Sequence, residues 1–261
     1  ASGANVVGGD NYYDNAAARS QGLTAGCYSN VITLLGNSDD YRFNVITAPG
    51  LNNNNHSTTI SSLIDLAESR GDCIAVVDLY GHGGTVANIT GQADTLNSSY
   101  AASYWPWLQT QSGTGKNVWA PASVFIPGVY AFTDGANAPW FAPAGLVRGG
   151  LTGVIQAERR LSRTQRDSLY DAKVNPIASF PGTVIAVFGQ KTLQTKSSAL
   201  DRVNVRRLLI DLKEFIGNQA QNLVFEQNTV NTRNKFLAAV NPYLDSVVQR
   251  QGLYAYRVAM D

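Results

Sequence analysis

Two short runs of β-branched and aliphatic residues flank an amphipathic segment, and this pattern constrains the fold more than any other feature of the chain. The runs are FNVIT at residues 43–47 and CIAVVDLY at residues 73–80, and both have the composition of buried strands. Between them, apolar residues recur at helical spacing: Ile60, Leu63, Ile64 and Ala67. A strand, a helix and a strand joined by short links predict a parallel crossover unit, whose sheet needs helices on both faces. The first half of the chain is therefore predicted to be α/β.

Capping residues predict the boundaries of this helix. Ser57 or Thr58 can cap its first turn, because a side-chain hydroxyl accepts a hydrogen bond from a backbone N–H group there. Gly71 predicts its end, since glycine adopts the left-handed conformation that closes many helices. Residues 49–55, which contain a Pro-Gly pair and an asparagine run, are predicted to form a loop.

Aromatic residues and prolines dominate residues 97–141, where the helical periodicity fades. We interpret the aromatic side chains as core and loop packing, in preference to a platform for a ligand. Within this region, residues 123–127 are predicted to form a strand and residues 129–134 a helix.

The second half of the chain is predicted to combine helices with strands, as an α+β unit. A polar helix is expected over residues 154–173, ended by Asn175-Pro176. A strand is predicted at residues 183–189, and the alternating run at residues 253–261 predicts another.

Two further helices are predicted between these strands. Ser198 and Asp201 form a capping-box-like start for the first, and Gly217 is expected to end it. Its apolar face consists of Val205, Leu208, Leu209, Leu212, Phe215 and Ile216. The second helix is predicted over residues 229–248, with an interruption at Pro242.

The charges of the chain are few and unevenly distributed. Charged residues make up only 15% of the sequence, which suits a subunit covered by neighbours better than a free monomer. Residues 1–140 carry four basic and ten acidic side chains, a net charge of −6, whereas residues 141–261 carry 16 basic and nine acidic side chains, a net charge of +7. This asymmetry indicates that the two halves face different partners, with chance clustering as the alternative.

The segment YGHGGTVA at residues 80–87 is the strongest indication of catalysis. Its histidine is similar to that of subtilisin-like proteases, in which an aspartate, a histidine and a serine follow in that order. Asp39 or Asp40 and His82 could supply the first two groups. No Gly-Thr-Ser segment follows, and Ser123 does not lie at a strand-to-helix elbow, so the nucleophile is missing. We therefore expect no enzymatic activity and keep a subtilisin-like hydrolase as an alternative.

Other functional motifs are incomplete. The two histidines are isolated from each other, and the two cysteines form no C-x-x-C pair, so neither a zinc site nor a redox motif is predicted. Lys116 ends a GTGK segment that lacks the spacing of a phosphate loop. We expect no metal, no cofactor and no membrane insertion, since the sequence contains no apolar run long enough to span a bilayer.

An arginine-rich surface makes nucleic-acid binding a second alternative. The arginines concerned are Arg159, Arg160, Arg163, Arg166, Arg202, Arg206 and Arg207. Acidic residues are interleaved among them, and no helix-turn-helix or base-reading aromatic pattern accompanies them. We therefore favour protein partners with acidic faces over direct contact with nucleic acid.

The order of motifs after residue 138 resembles that of bacteriophage contractile tail sheath proteins. The motifs are PWFAPAG, a helix ending near LYDAKVNPI, FGQKTL, DRVNVRRLL and the terminal YAYRV. The resemblance implies a subtilisin-like α/β sheet domain without a catalytic triad at residues 1–140, followed by a smaller α+β sheath domain at residues 141–261. It also implies a fragment that lacks both terminal portions of the family's proteins, and for such a fragment we expect a monomer.

The function that the resemblance implies is mechanical. A sheath subunit polymerises helically around the tail tube and contracts to drive that tube through the host envelope during genome delivery. The implied partners are other copies of the sheath subunit, the tail tube protein, and the baseplate and tail terminator proteins. The implied location is the tail sheath of a virion that is assembled in the host cytoplasm.

The basic half is expected to face the tube and neighbouring subunits, with the acidic half further out. The residues predicted to make these contacts are Arg202, Arg206, Arg207, Lys213, Tyr254 and Tyr256. The alternative is that Arg202 and Arg207 pair with carboxylates of their own chain, such as Asp201 or Asp211. We also expect the terminal strand at residues 253–260 to lie at a sheet edge or to be poorly paired.

Overall fold

The computed structural model describes residues 25–180, 182 and 184–260. In these ranges the strands are β1 (Val45–Asn52), β2 (Ile74–Asp78), β3 (Ala101–Trp105), β4 (Leu108–Gln111), β5 (Asn117–Ala120), β6 (Val154–Ala157), β7 (Val174–Ser179) and β8 (Ile185–Val187). The α-helices are α1 (Ala25–Leu35), α2 (Asn53–Arg70), α3 (Val86–Ala93), α4 (Ile126–Ala136), α5 (Gly145–Arg148), α6 (Arg163–Asp171), α7 (Val203–Gln221) and α8 (Val230–Gln249). Short 3₁₀ helices at Ala122–Val124 and Ala199–Asp201 precede α4 and α7.

Five strands form the main sheet, in the order β1-β2-β3-β7-β8. The first four are parallel, and β8 is antiparallel to β7 at one edge. Because α2 connects β1 to β2, and these strands pair in parallel, the predicted crossover unit is confirmed. All residues of β2 are buried, as expected for a central strand of a sheet that is covered on both faces.

Helices cover both faces of the main sheet, as predicted. Right-handed crossovers between consecutive parallel strands place their helices on the same face, so α2 and α3 lie together, and α6 joins them. These helices contribute Ile60, Ile89 and Leu169 to one hydrophobic cluster. On the opposite face, α4 and α7 contribute Val129 and Ile210 to a second cluster. Alternate residues of β2 belong to the two clusters, which places the clusters on opposite sides of the sheet.

The predicted apolar face of α2 is buried, but the helix begins earlier than predicted. Asn52 caps it by accepting a hydrogen bond from the Asn55 N–H at 3.0 Å, so α2 starts at Asn53 rather than near Ser57 or Thr58. β1 extends to this cap, and the predicted loop is therefore absent. Gly71 ends α2 as expected, with a φ of 69°.

The helix predicted over residues 154–173 is wrong in its first half. That part forms β6, which pairs with β4 in a second, antiparallel sheet of order β5-β4-β6. α6 begins only at Arg163, because a capping box precedes it: Ser162 Oγ accepts from the Gln165 N–H at 3.2 Å, and Gln165 Oε1 accepts from the Ser162 N–H at 2.9 Å. The pairing of β6 with β4 is non-local, and local periodicity does not show it.

Asn175 and Pro176, predicted to end a helix, lie inside β7. The side chain of Asn175 is buried and binds two backbone segments. Its Nδ2 donates to the Ser103 carbonyl at 3.0 Å and to the Lys191 carbonyl at 2.8 Å, and its Oδ1 accepts from the Lys191 N–H at 2.5 Å. The strand predicted over residues 183–189 is confirmed at its centre as β8.

Residues 123–127, predicted to form a strand, contribute to the 3₁₀ helix and to the first turn of α4 instead. The helix predicted over residues 129–134 is confirmed within α4. Pro242 lies inside α8, which continues on both sides of it, so the predicted interruption is wrong.

α7 begins and ends later than predicted. Ser198 Oγ accepts from the Leu200 N–H at 3.2 Å and caps the 3₁₀ helix, whereas α7 begins at Val203. Gly217 does not end α7, which continues to Gln221. A side chain at position 217 would point into open space, so nothing in the packing requires glycine there.

Residues 253–260 do not form the predicted strand. They run as irregular chain over α7 and α8, where Leu253, Tyr256 and Val258 pack against a third hydrophobic cluster, here termed the helical cluster. This segment has no ladder partner within the described ranges.

The main sheet includes strands from both sides of residue 140. β1, β2 and β3 precede this residue, whereas β7 and β8 follow it. Trp140 itself joins the helical cluster together with Leu212 of α7 and Leu244 of α8. The two-domain division at residues 140 and 141 stays a prediction, and one sheet crosses it.

Candidate functional site

Asp78 and Ser123 form a buried polar pair where β2 ends. Ser123 Oγ donates a hydrogen bond to Asp78 Oδ2 at 2.5 Å, and the Ser123 N–H donates to Oδ1 at 3.3 Å. Burial raises the pKa of Asp78 to about 7, although both hydrogen bonds from Ser123 act to lower it. Carboxyl ends of parallel strands often carry functional groups. Asp78 is not among the residues considered for chemistry from the sequence, although an acid that ends a buried strand is a recognisable signal.

The structure does not join His82 to this pair. His82 Nε2 lies 3.8 Å from Glu158 Oε1, and its ring contacts Trp107 and Trp119 with centroid separations of 5.8 and 5.0 Å. The loop that carries His82 is held by Glu158, whose Oε1 accepts from the Gly83 N–H at 2.5 Å. In the described part of the chain, the hydrogen-bond partner of the Ser123 hydroxyl is therefore a carboxylate and not a histidine.

The other residues considered for chemistry lie apart from one another. Asp39 and Asp40 are exposed in the turn after α1, where Asp40 Oδ2 accepts from Asn37 Nδ2 at 2.7 Å. The GTGK segment that ends at Lys116 forms the turn between β4 and β5. Within residues 25–180, 182 and 184–260, no group of three or more His, Cys, Asp and Glu side chains could hold a metal ion. No helix of these same ranges combines the length and apolar character that crossing a membrane requires.

Arg206 belongs to α7 and was predicted to contact other subunits or the tube. Its side chain is buried against Ser99 and Tyr100, which immediately precede β3. The residue is only 5% exposed, and its guanidinium carbon lies 3.9 Å from the centroid of the Tyr100 ring. Its Nη2 donates to Ser99 Oγ at 2.5 Å. Burial lowers the pKa of Arg206, against the opposing influence of Tyr100 and Glu68.

Arg207 is buried against α4 and is 4% exposed. Its Nη2 lies 2.5 Å from Asp134 Oδ2, and its guanidinium carbon lies 4.5 Å from the centroid of the Tyr130 ring. The Tyr130 hydroxyl lies 2.7 Å from that of Tyr104 in β3, and burial raises the pKa of Tyr130 to about 12. Polar contacts thus connect the main sheet, α4 and α7. The predicted alternative, pairing within the chain, is confirmed for Arg207, with Asp134 rather than Asp201 or Asp211 as the partner.

Arg206 and Arg207, two of the predicted contact residues, are therefore buried within the subunit and do not present their charges at its surface. α7 is covered on two sides: its buried apolar residues belong partly to the cluster on the sheet and partly to the helical cluster. The residues on the sheet side are Val203 and Ile210, and those on the side of α8 are Leu208 and Leu212. The apolar spacing in the sequence shows only the face of α7 that packs against α8. The face that packs against the sheet also carries the two arginines, and helical periodicity does not mark charged residues as buried.

Arg202 and Lys213 lie nearer the surface. Arg202 Nε is 3.1 Å from Asp201 Oδ1, with 39% of its side chain exposed, and its Nη1 donates to the Tyr170 hydroxyl. The predicted pairing of Arg202 within its own chain is therefore confirmed. Lys213 is exposed, and its Nζ lies 3.4 Å from the Tyr100 hydroxyl beside the end of α2.

The two tyrosines of the terminal segment differ in environment. Tyr254 is 99% exposed, so its whole ring is available to a partner. The Tyr256 hydroxyl instead donates a hydrogen bond to Asp245 Oδ1 at 2.7 Å, and the Asn241 carbonyl lies 3.2 Å from the same hydroxyl as a second acceptor. The bond to Asp245 raises the pKa of Tyr256. The contact role of the six predicted residues stays a prediction, and Tyr254 has the geometry most open to it.

Comparison with known proteins identifies the class to which this fold belongs. Residues 21–193 match the family described as the phage tail sheath protein central domain. Because this match spans about two thirds of the chain, the chain belongs to the phage tail sheath protein family. The family expected from the order of the motifs is confirmed.

Particular relatives are tail sheath proteins of two phages. The tail sheath protein of Vibrio phage KVP40 is 36% identical over 192 residues, which are 72% of this chain and 29% of that protein. The tail sheath protein of Enterobacteria phage T4 is 30% identical over 223 residues, which are 78% of this chain and 34% of that protein. The chain therefore spans about a third of the length of these curated relatives.

Solved structures share the fold. The PVC sheath complex of an extracellular contractile injection system, in the contracted state, matches with a TM-score of 0.72 and 25% identity, over 87% of this chain and 62% of that one. The baseplate of the anti-feeding prophage matches with a TM-score of 0.71 and 22% identity, over 90% of this chain and 62% of that one. These likenesses confirm the mixed α/β fold class.

Proposed function

We propose that this protein is a structural subunit of a contractile phage tail sheath, which polymerises helically around the tail tube and contracts to drive it through the host envelope. The observation that carries the proposal is the family match over residues 21–193, and the two phage relatives are named tail sheath proteins. A sheet packed on both faces by helices forms a rigid body, which suits a subunit that moves as a unit during contraction.

In this proposal the partners are other copies of the subunit, the tail tube protein, the baseplate and the tail terminator protein, all in the tail of a virion. A similar solved structure is the helical sheath of the anti-feeding prophage in its contracted state, and another is the baseplate of that system. These structures support partnership with other sheath copies and with a baseplate. The tube and the terminator enter the proposal through the role of the family.

The proposed architecture is a subtilisin-like α/β unit joined to a second, smaller unit. Parallel strands with helices on both faces support the first part. The helical cluster, built mainly from α7 and α8, supports a second unit that is centred later in the chain than residue 141. α7 packs against both units and would transmit movement from one to the other.

The proposed contact residues are Arg202, Lys213 and Tyr254, because their side chains reach the surface. Arg206 and Arg207 act in this scheme from inside the subunit, since they hold α7 against the sheet and α4. The basic half of the chain would lie towards the tube and the acidic half further out, as its net charges of +7 and −6 suggest.

A chimera tests the proposed function. Residues 25–260 of this chain replace the matching region of the tail sheath protein of Vibrio phage KVP40, and the product is examined by electron microscopy. We expect ordered hollow tubules like those of the parent protein. A chimera that is folded by circular dichroism and yet never assembles, while the parent does, contradicts the proposal.

Contact residues are tested in the same chimera. Lys213→Glu combined with Tyr254→Ala should reduce the yield of tubules, because both side chains are available to a neighbour. The matched control is Lys196→Glu combined with Phe225→Ala, which alters another exposed lysine and another exposed aromatic ring. Equal yields from the two pairs contradict the contact role.

A further inference from the structure

The helical layer on one face of the main sheet ends in two surfaces of different chemistry. α1 contacts α2 at the end beside β1, and α6 contacts both α3 and β7 at the other end. β1 and β8 are the edge strands of the sheet, so the two ends of the layer lie at opposite edges of the subunit. With neighbouring strands about 4.8 Å apart, these edges are separated by roughly 19 Å of sheet.

The surface at the α6 end is an open groove of about 690 Å³. This surface, here termed the basic groove, is defined by Arg163, Arg166, Asp167, Tyr170, Phe180 and Phe188. The rings of Phe180 and Phe188 meet edge to face, with centroids 5.2 Å apart, and the Arg166 guanidinium carbon lies 5.2 Å from the Phe180 centroid. Phe188 is 46% exposed. An exposed aromatic floor beside arginines is typical of protein interfaces.

Further cations surround the groove. Lys191 Nζ lies 4.2 Å from the centroid of the Tyr170 ring, and the Arg202 guanidinium carbon lies 5.7 Å from the same centroid. Asp167 is the acid among the residues that define the groove, so basic side chains outnumber acidic ones there. A partner that carries carboxylates next to an aromatic ring would complement this surface in both charge and shape.

The surface at the α1 end has that complementary chemistry. Residues 37–41, here termed the acidic turn, carry the exposed side chains of Asp39, Asp40 and Tyr41. The turn is held by Asn37, whose carbonyl accepts from the Tyr41 N–H at 3.2 Å and whose Oδ1 accepts from the Asp39 N–H at 3.1 Å. The buried Arg70 donates to the Tyr41 carbonyl at 2.7 Å. A turn that is already ordered loses little conformational entropy on binding.

We propose that the acidic turn of one copy docks in the basic groove of a second copy. Tyr41 then packs against the exposed ring of Phe188, and the two carboxylates beside it lie near Arg163 and Arg166. The choice of a second copy as the occupant rests on the proposed function, because a sheath needs copies that join repeatedly. Each copy in such a contact keeps one unused surface, so the contact is heterologous and continues from copy to copy.

Sedimentation velocity of the complete 261-residue chain tests this contact. In contrast to the monomer expected of a fragment, the proposed contact predicts association that increases with concentration, passes beyond dimers, and occurs at or below about 1 mM. Arg163→Glu, at an exposed position, should weaken it by about tenfold or more, as should Asp39→Lys combined with Asp40→Lys. Lys196→Glu combined with Lys235→Glu, both exposed and outside the two surfaces, is the control and should leave association unchanged.

Mixing the variants identifies the two surfaces as partners of each other. The groove variant retains its acidic turn, and the turn variant retains its basic groove, so a mixture should form one-to-one dimers that grow no further. A chain that carries the reversals Arg163→Glu, Asp39→Lys and Asp40→Lys together should regain part of its association, because the charges are exchanged. A mixture that stays as weak as each variant alone contradicts the proposal.

Photo-cross-linking locates the contact directly. A benzophenone side chain in place of Tyr41, with isotopically labelled and unlabelled chains mixed, should give intermolecular cross-links to residues 163–188. A wild-type chain that stays monomeric to about 1 mM, or cross-links that fall elsewhere, overturns the docking proposal. If the chimera forms tubules while these variants have no effect, the docking proposal fails and the proposed function stands. If the cross-links form but the chimera does not assemble, the proposed function fails instead.

Discussion

The main sheet and the α7–α8 pair are stabilised in different ways. β2 is buried along its whole length, and fully buried side chains reach it from both faces. α8 is 20 residues long, yet its buried residues are Val240, Leu244 and Val247, all in its second half. The connection between α7 and α8 leaves Phe225 completely exposed. The sheet therefore has a continuous core of its own, whereas α8 is attached along one narrow stripe.

Polar groups reinforce this difference. In the sheet region, Asp78 is buried against a serine, and its charge is disfavoured by the surroundings. In the helical region, the buried charges of Arg206 and Arg207 are compensated by aromatic rings and by Asp134. α7 is the element that both regions share, so its contacts decide how firmly the two are joined.

The largest expected difference between the regions concerns apolar truncation. Ile177 in β7 is 0% exposed, so Ile177→Ala should lower the free energy of unfolding by about 2–5 kcal/mol. Val230 at the start of α8 is 73% exposed, so Val230→Ala should change it by less than about 0.5 kcal/mol. Urea denaturation followed by circular dichroism measures both. Similar losses for the two variants would contradict the difference in burial between β7 and the start of α8.

A second comparison concerns two arginines that differ in burial. Arg207→Met should lower the free energy of unfolding by about 2 kcal/mol, because it removes a charged hydrogen bond and leaves Asp134 without its partner. Arg202→Met should cost less than about 1 kcal/mol, since that pair with Asp201 is partly exposed.

A double-mutant cycle controls this comparison. Asp134→Asn is measured alone and together with Arg207→Met, so that the coupling between the two side chains is separated from other effects. A coupling energy near zero would contradict the role assigned to the pair, whatever the single variants cost.

The third prediction concerns pH and the sheet region alone. The pKa of Asp78 is about 7 in the folded protein, above its ordinary value of 3.8, so the folded state binds the extra proton between roughly pH 4 and 7. The contribution of protonated Asp78 to the free energy of unfolding is therefore complete below this window and is lost as the pH rises through it. The Asp78→Asn variant lacks this dependence, and its stability relative to wild type should rise by about 1 kcal/mol per pH unit near pH 6.

Urea midpoints measured between about pH 5 and 8 check this dependence. Ser123→Ala is the matched control: its hydroxyl lowers the pKa of Asp78, so removal of the hydroxyl should raise that pKa and extend the decrease above pH 7. Parallel pH profiles for wild type and Asp78→Asn would contradict the assignment.

The smallest expected effects come from two glycines, one in each region. Gly217 lies inside α7 with open space around it, so Gly217→Ala should raise the free energy of unfolding by about 0.5–1 kcal/mol. Gly71 ends α2 with a φ of 69°, so Gly71→Ala should lower it by about 1 kcal/mol. The melting temperatures of the two variants should therefore shift in opposite directions. Shifts of the same sign would contradict the different backbone requirements assigned to these two glycines.

Structure is predictable from the sequence where side chains and local backbone carry the signal. The apolar positions of α2 have helical spacing, and Gly71 ends that helix with the backbone conformation that glycine favours. β2 is buried from Ile74 to Asp78, and its aliphatic composition already indicated that environment. The order of the C-terminal motifs indicated the family, which the match over residues 21–193 confirms.

Structure is not predictable from the sequence where contacts between distant segments override local preference. β6 is a strand because it pairs with β4, and Asn175 fits inside β7 because Ser103 and Lys191 supply its hydrogen bonds. Asp78 and Ser123 are 45 positions apart, so only the path of the chain makes them a pair. The burial of Arg206 and Arg207 is not evident from the sequence, because the aromatic rings that enclose them lie on other elements.

From its residues alone, the chain specifies a buried parallel unit, an amphipathic α7 and membership of a sheath family, because spacing and composition act within one or two turns of backbone. The packing of the whole chain specifies which arginines are enclosed, which strands complete the sheet beyond residue 140, and which surfaces remain at its two edges. These outcomes depend on contacts between residues far apart in sequence, and such contacts stabilise the protein only after the helices and strands have packed together.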